Sequence, residues 1–330
     1  MERARTPSTG LSAPAAVRYP SRIDQIIEIA PINFLRIGAL GLIWGASFMF
    51  ISVALRDTGP LLIAATRITL GALFLLVLVR LKGRSLPDPR QPKGRMIWAF
   101  SCFMALFSNV IPFSLLSWAQ QSVASGFAGV CMAAVPLLIL PLAHFLVPGE
   151  RMSLRKLAGF VMGTVGVVVL IGHDAFASTG KDLESLARLA CLGVAGCYAM
   201  GTIATRLCPE VDRLALAAIV LLIGAVIILP YALLQEGLPN TLSAKSFLAL
   251  LYLGILPTGV AQLLLVQVNR EAGPSFFGLV NYMVPVWSVI LGAAVLFEPL
   301  PPSLLVAMSL ILGGVAISQW RALRRVFARG

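Results

Sequence analysis

Seven side chains that can hydrogen-bond or carry charge lie inside long apolar stretches of this sequence and are its candidates for chemistry. They are Trp44, Asn109, Tyr198, Gln262, Asn281, Tyr282 and Arg67. A polar group in hydrocarbon costs free energy unless it meets a partner or water, so we expect these side chains to face the interior of a helix bundle. Hydrogen bonds and aromatic faces suit reversible binding of a small molecule, and the first six residues are the candidate binding set.

A structural role is the alternative for each neutral residue in this set. Asn109, Gln262 and Asn281 can bridge helices, with each such bond contributing about 0.6 to 2 kcal/mol, and we weigh bridging and ligand contact equally. Trp44 either packs against its neighbours or forms the wall of a cavity that accepts an apolar group.

Arg67 is the charged residue that lies well inside an apolar stretch. It follows Pro60 by seven residues, which is about 10 Å along a helix at about 1.5 Å per residue. One interpretation is structural, with the guanidinium bonding helix carbonyls. The other is functional, with Arg67 acting as a gate or as the contact for a carboxylate.

The side chains that a catalytic centre needs are missing from the apolar stretches. The sequence has two histidines, His144 and His173, and no HExxH, GxSxG or P-loop pattern. Its five cysteines lack metal-ligand spacing. We therefore expect no enzyme activity, no catalytic residue, no metal site and no cofactor.

Composition places the chain in a membrane. Of 330 residues, 58% are hydrophobic and 12% are charged, with a mean hydropathy of +0.90, whereas soluble proteins carry about 25% charged residues. A span needs about 20 apolar residues. We predict an all-α integral membrane protein with ten transmembrane helices, at residues 33–55, 60–81, 96–118, 122–147, 153–172, 185–207, 214–234, 244–268, 274–297 and 303–320.

Basic residues are divided unequally between the alternate loops of this arrangement. With the N-terminus in the cytoplasm, 21 of the 26 Lys and Arg residues fall on the cytoplasmic side, four on the other side and Arg67 within a helix. Cytoplasmic loops collect positive charge. We therefore expect a multi-pass protein of the cytoplasmic (inner) membrane with cytoplasmic termini, a polar tail at 1–32 and a basic tail at 321–330. Because the membrane topology accounts for these basic residues, the net charge of +12 does not call for a nucleic-acid partner, and we expect none.

The apolar region contains an internal repeat. Pro136 in the fourth stretch returns 149 residues later as Pro285 in the ninth, and Glu150 returns 148 residues later as Glu298. Each half has five predicted helices, and an odd number forces the second copy to enter the membrane from the opposite side. The pattern predicts two inverted five-helix repeats, 33–172 and 185–320, an arrangement that builds two alternating entrances around one midplane site.

Several short motifs occur in order along the chain. They are Gly41, Trp44, Gly45, Ser47 and Phe48 in the first stretch, Gly59, Pro60 and Arg67 in the second, and the pairs Pro136 with Glu150 and Pro285 with Glu298. Together they resemble the EamA branch of the drug/metabolite transporter superfamily, over roughly residues 33–320. The sequence departs from the pattern where Gly196, Cys197 and Tyr198 stand at the repeat position of Trp44.

The resemblance implies a membrane carrier of amino acids or other small metabolites that acts as an exporter or facilitator by alternating access. Two other functions stay open: efflux of drugs or other amphipathic compounds, and a partner subunit that transports nothing. The expected partners are a small-molecule substrate and the lipid bilayer, with monomer and homodimer both open. No predicted helix has an Asp or Glu in its central part, so we expect facilitated diffusion or solute exchange rather than proton coupling.

The charge distribution predicts which loops reach the outside of the cell. In a background without the native cysteines, single cysteines at positions 58 and 182 should react with a membrane-impermeant maleimide on intact cells. Cysteines at positions 90 and 270 should react only after permeabilisation. Strong labelling at 90 or 270 from outside, with none at 58 or 182, would overturn this topology.

Overall fold

The chain folds into apolar helices. The computed structural model describes residues 30–147, 150–172, 183–320 and 323–324, and within these ranges no residue is in a strand. The tails expected at 1–32 and 321–330 fall almost wholly outside the described residues, as does the loop at Asp182. Eight described helices are long and apolar enough to cross a membrane: α1 (Pro31–Ala54), α2 (Pro60–Leu81), α3 (Pro92–Ala119), α4 (Ser125–Leu146), α5 (Leu154–Ile171), α6 (Leu183–Leu207), α7 (Arg213–Gln235) and α8 (Ala244–Asn269).

Two shorter apolar helices complete the described bundle, α9 (Val280–Leu296) and α10 (Pro302–Ser318). A helical turn, Gly273–Phe277, precedes α9. The all-α, multi-span architecture therefore agrees with the composition.

Proline and capping residues begin many of these helices. The first residues of α1, α2, α3 and α10 are Pro31, Pro60, Pro92 and Pro302. A backbone N–H at this position has no acceptor within the helix, so a proline there costs no hydrogen bond. At α7 the Asp212 carboxylate accepts hydrogen bonds from the first backbone N–H groups instead. These signals explain why most predicted and observed starts agree within four residues. The exception is α9, which begins at Val280 instead of residue 274 and is preceded by the separate helical turn Gly273–Phe277.

Helices α3 and α8 each contain a π-helical segment, which the sequence analysis does not predict. In α3 the segment is Leu106–Val110, and in α8 it is Leu256–Val260, 150 residues later. A π turn is wider than an α turn and often marks a functional site. Pro257, which has no N–H to donate, lies inside the second segment.

The helices pack in pairs that join the first half of the chain (residues 30–172) to the second half (residues 183–320). Helix α2 lies along α7, α5 along α10, and α1 along α9, while α6 packs against α3 and α4. The α5–α10 pair approaches most closely at glycines. A Cβ atom added at Gly314 would lie 2.6 Å from the backbone nitrogen of Gly163, so the two backbones are in direct contact.

Replacing Gly314 by Ala tests this close approach. The new methyl group has no space unless α5 and α10 separate, and we expect a loss of about 1–3 kcal/mol in stability, as for an overpacked core. The readout is the midpoint of thermal unfolding in detergent. The matched control is Gly38→Ala in α1, where an added Cβ meets nothing within 4 Å. Equal midpoints for the two variants would contradict the packing.

Candidate functional site

Arg67 is the charged group at the centre of the candidate site. Arg67 is buried, with 7% of its surface exposed. Its Nε donates a hydrogen bond of 2.9 Å to the Thr258 hydroxyl of α8. The Thr258 hydroxyl in turn donates to the Leu253 carbonyl at 2.8 Å. The guanidinium carbon lies 3.8 Å from the centre of the Phe113 ring in α3. Helices from both halves of the chain therefore hold this side chain.

The two π segments meet around this guanidinium. Thr258 lies inside the segment of α8, and Phe113 follows the segment of α3 by three residues. Asn109, also within the α3 segment, is 9% exposed and donates from Nδ2 to the Met104 carbonyl at 3.5 Å. Asn109 and Thr258 thus each bond a carbonyl five residues earlier, which is the spacing of a π turn.

Two tyrosines stand near the charge. Tyr198 of α6 and Tyr252 of α8 both lie close enough to interact electrostatically with Arg67. The Tyr252 hydroxyl donates to the Ile43 carbonyl of α1 at 2.9 Å, and its ring stacks on Phe50 with centroids 4.0 Å apart. Tyr198 packs against both of the larger apolar clusters of the bundle, so it lies between these two clusters.

Trp44 contacts the same π segment that holds Arg67. Its indole Nε1 donates to the Pro257 carbonyl at 3.0 Å, and its ring meets Phe277 edge-on with centroids 6.1 Å apart. The indole N–H is therefore occupied by the protein. What remains for a ligand is the apolar surface of the ring.

The other predicted residues lie on α8 and α9. Gln262 is half-buried, one turn beyond Thr258. Asn281 donates from Nδ2 to the Gly278 carbonyl at 3.2 Å, within its own helix start. The Tyr282 hydroxyl is buried and meets no hydrogen-bond partner among the described residues. Tyr282 packs against the same apolar cluster as Tyr198 and Tyr252.

Sequence reasoning missed Phe113 and Tyr252, and it left Thr258 outside the candidate set. Thr258 carried a usable signal, because Leu256, Thr258 and Val260 repeat Leu106, Ser108 and Val110 at a spacing of 150 residues. Phe113 and Tyr252 carried none, since an aromatic residue in an apolar helix is ordinary. Only the crossing of helices puts them beside a guanidinium.

Metal chemistry has no support in the described part of the chain, where no group of three or more His, Cys, Asp or Glu residues could hold an ion. His144 accepts a hydrogen bond at Nδ1 from the Met152 backbone, 3.3 Å away, and so links the last turn of α4 to the segment before α5. The arrangement around Arg67 brings together a cation, hydroxyl groups and aromatic surfaces, the kinds of group that line small-molecule sites.

A groove of about 520 Å³ lies elsewhere, on the flank of the bundle between α2, α3 and α7. Its lining is apolar apart from a few groups such as Ser114 and Glu236. It does not include Arg67, and its apolar lining suits contact with lipid. The polar cluster around Arg67 is therefore the better candidate site.

Thr258→Val tests whether the hydroxyl holds Arg67. Valine keeps the shape but leaves a buried N–H of a charged group without its acceptor, so we expect a loss of about 1–3 kcal/mol. The midpoint of thermal unfolding in detergent measures it, and Thr258→Ser should restore most of the loss. The control is Thr164→Val, whose exposed hydroxyl bonds only the Phe160 carbonyl of its own helix. If both valine variants unfold at one temperature, this hydrogen bond is not holding the site.

Known transporters match the chain along most of its length. YoaV of Bacillus subtilis (strain 168), an uncharacterised transporter, is 25% identical over 296 residues, which cover 88% of this chain and 98% of YoaV. The uncharacterised inner membrane transporter YedA of Escherichia coli (strain K12) is 25% identical over 282 residues, covering 84% and 88%. The aromatic amino acid exporter YddG of Ancylobacter novellus is 28% identical over 280 residues, covering 83% and 93%.

A solved crystal structure matches with a TM-score of 0.64 and 25% identity, over 89% of this chain and 99% of its own. The family model of the EamA-like transporter family matches residues 35–172 and 185–320. These two ranges cover most of the sequence and include every residue of the candidate site. The protein therefore belongs to the EamA-like transporter family, as its motifs predict.

Proposed function

We propose that this transporter carries small metabolites, amino acids foremost, out of the cell across the cytoplasmic membrane by alternating access. The observation that carries the proposal is the cluster around Arg67, where Thr258 from the second half of the chain and Phe113 from the first half contact one buried cation. A site built from both halves can bind one ligand while the halves change their relative position.

The proposal includes ten transmembrane helices in two inverted repeats, 33–172 and 185–320, with both termini in the cytoplasm. The π segments support it, since they occur 150 residues apart in the third helix of each half. Helix pairing supports it as well. A two-fold axis that relates the halves would exchange α1 with α6 and α9 with α4, so that the α1–α9 pair corresponds to the α6–α4 pair. The same axis would place α2 beside its counterpart α7, and α5 beside its counterpart α10. All four of these pairs pack together.

The substrate class follows from the site and from a relative. The relative YddG of Ancylobacter novellus is named an aromatic amino acid exporter. In this chain the Trp44 indole, with its N–H already bonded to Pro257, offers an aromatic wall. Asn109, Tyr198, Gln262, Asn281 and Tyr282 supply amide and hydroxyl groups that can accept or donate to an amino or carboxyl group.

Transport by the purified protein in liposomes is the test. Uptake of radiolabelled L-phenylalanine, L-tryptophan, L-leucine and L-threonine into vesicles preloaded with the same amino acid should exceed uptake into protein-free vesicles for at least one of them. Asn109→Ala and Gln262→Ala should lower the initial rate by about tenfold, the equivalent of about 1.4 kcal/mol.

Exposed positions provide matched controls for these substitutions. Asn240 and Gln121 lie on the surface outside the candidate site, and Asn240→Ala and Gln121→Ala should transport at the wild-type rate. A preparation that is folded but moves none of the amino acids contradicts the proposed substrate class. Normal transport by both Asn109→Ala and Gln262→Ala would place the binding site elsewhere.

A further inference from the structure

The charge of Arg67 has no anionic partner among the described residues. The described ion pairs all lie at helix ends or in loops, and they involve Arg36, Arg84, Lys156, Arg188 and Arg206. Arg67 instead meets a neutral hydroxyl and an aromatic ring. A guanidinium keeps its proton at any physiological pH. The cluster therefore carries one buried positive charge, which is unfavourable in an apolar bundle until an anion arrives.

The contacts that Arg67 does make leave one edge of its guanidinium free. Nε is bonded to Thr258, and the Phe113 ring covers one face. Neither terminal nitrogen makes a hydrogen bond to a residue that the structure describes. These two nitrogens form the planar fork that binds both oxygens of a carboxylate in parallel.

We propose that Arg67, positioned by Thr258 and Phe113, is the subsite that binds the carboxylate of the transported molecule. The inference rests on the proposed function and names what this residue contributes to it. A singly charged carboxylate matches the single positive charge. A doubly charged phosphate would need a second cation, and no described Lys or Arg contacts the Arg67 cluster. The ligand class is therefore organic monocarboxylates, including zwitterionic amino acids.

Neighbouring rings define what surrounds the carboxylate. Phe113 lies against the guanidinium, and Trp44 is fixed to the carbonyl of Pro257, the residue before Thr258. Tyr252 and Tyr198 lie close to the charge. A carboxylate joined to a short aromatic group thus fits the cluster better than a bare carboxylate such as acetate.

Binding to the purified full-length protein tests the subsite without requiring transport. The probes are 3-phenylpropionate and its uncharged analogue 3-phenylpropionamide, which differ only in the carboxylate. A ligand that binds the folded state raises its unfolding temperature. We expect the acid to raise the midpoint in a concentration-dependent way and the amide to bind at least tenfold more weakly. Equal stabilisation by acid and amide, or none by the acid, would overturn the proposal.

Variants then assign the effect to one side chain. Arg67→Gln should weaken acid binding at least tenfold and leave the weak amide binding unchanged. Arg67→Lys, which keeps the charge but not the fork, should give an intermediate loss. Arg80→Gln, at the exposed end of the same helix, should bind as the wild type does. If Arg67→Gln does not fold, the acid and amide comparison on the wild type still decides.

The transport assay separates this proposal from the proposed function. Acid binding that depends on Arg67, in a protein that moves no solute in liposomes, would leave the subsite standing and contradict the carrier. Transport of the amide as fast as the acid, unaffected by Arg67→Gln, would leave the carrier standing and contradict the subsite.

Discussion

A positive charge held inside an apolar helix bundle is the constraint around which the middle of this protein is arranged. Arg67 is tolerated because the Thr258 hydroxyl accepts from Nε and the Phe113 ring faces the guanidinium. A cation–π contact contributes only about 0.5–2 kcal/mol, which does not replace the hydration that the charge has lost. The charge therefore lacks an anionic partner among the described residues, and in our proposal the carboxylate of a ligand supplies it.

The two π segments bring side chains into contact with that charge. A helix in lipid must satisfy its backbone groups internally, and widening one turn changes which carbonyls are free. Trp44 donates to a carbonyl within the α8 segment, and Asn109 and Thr258 donate to carbonyls in the turn that precedes each segment. The helices thus exchange some regular backbone bonds for side-chain bonds near the centre of α3 and α8.

The fold was largely predictable, while the site was predictable only in part. Uninterrupted apolar stretches identify helices from composition alone, and Arg67 and Trp44 are conspicuous as polar groups within them. Which groups meet depends on helix crossings. Glu298 illustrates the difference: its position before α10 suggests that it stabilises α10, yet its carboxylate accepts from the backbone of Ser125 and Gly126 at the start of α4. The left-handed conformation of Phe297, φ 57°, turns the chain that way, and such a conformation is uncommon for a residue other than glycine.

Contacts between the halves differ at the two ends of the bundle. At one end carboxylates bond backbone N–H groups across the halves: Glu298 with Ser125, Glu236 with Leu61, and Asp57 with Ser243. The hydrogen bond from the Ser243 side chain is the main reason that the pKa of Asp57 is lowered.

At the other end the cross-half contacts are ion pairs: Arg36 with Glu271, Arg84 with Asp212 and Arg206 with Glu150. Partly exposed pairs contribute about 0–1 kcal/mol each and are screened by salt over about 8 Å at physiological ionic strength. The end with carboxylates on helix starts is therefore held by fixed backbone geometry, and the opposite end by contacts that part and re-form at little cost. In the proposed alternating-access cycle, the end held by ion pairs is therefore the end that opens at the lower cost in free energy.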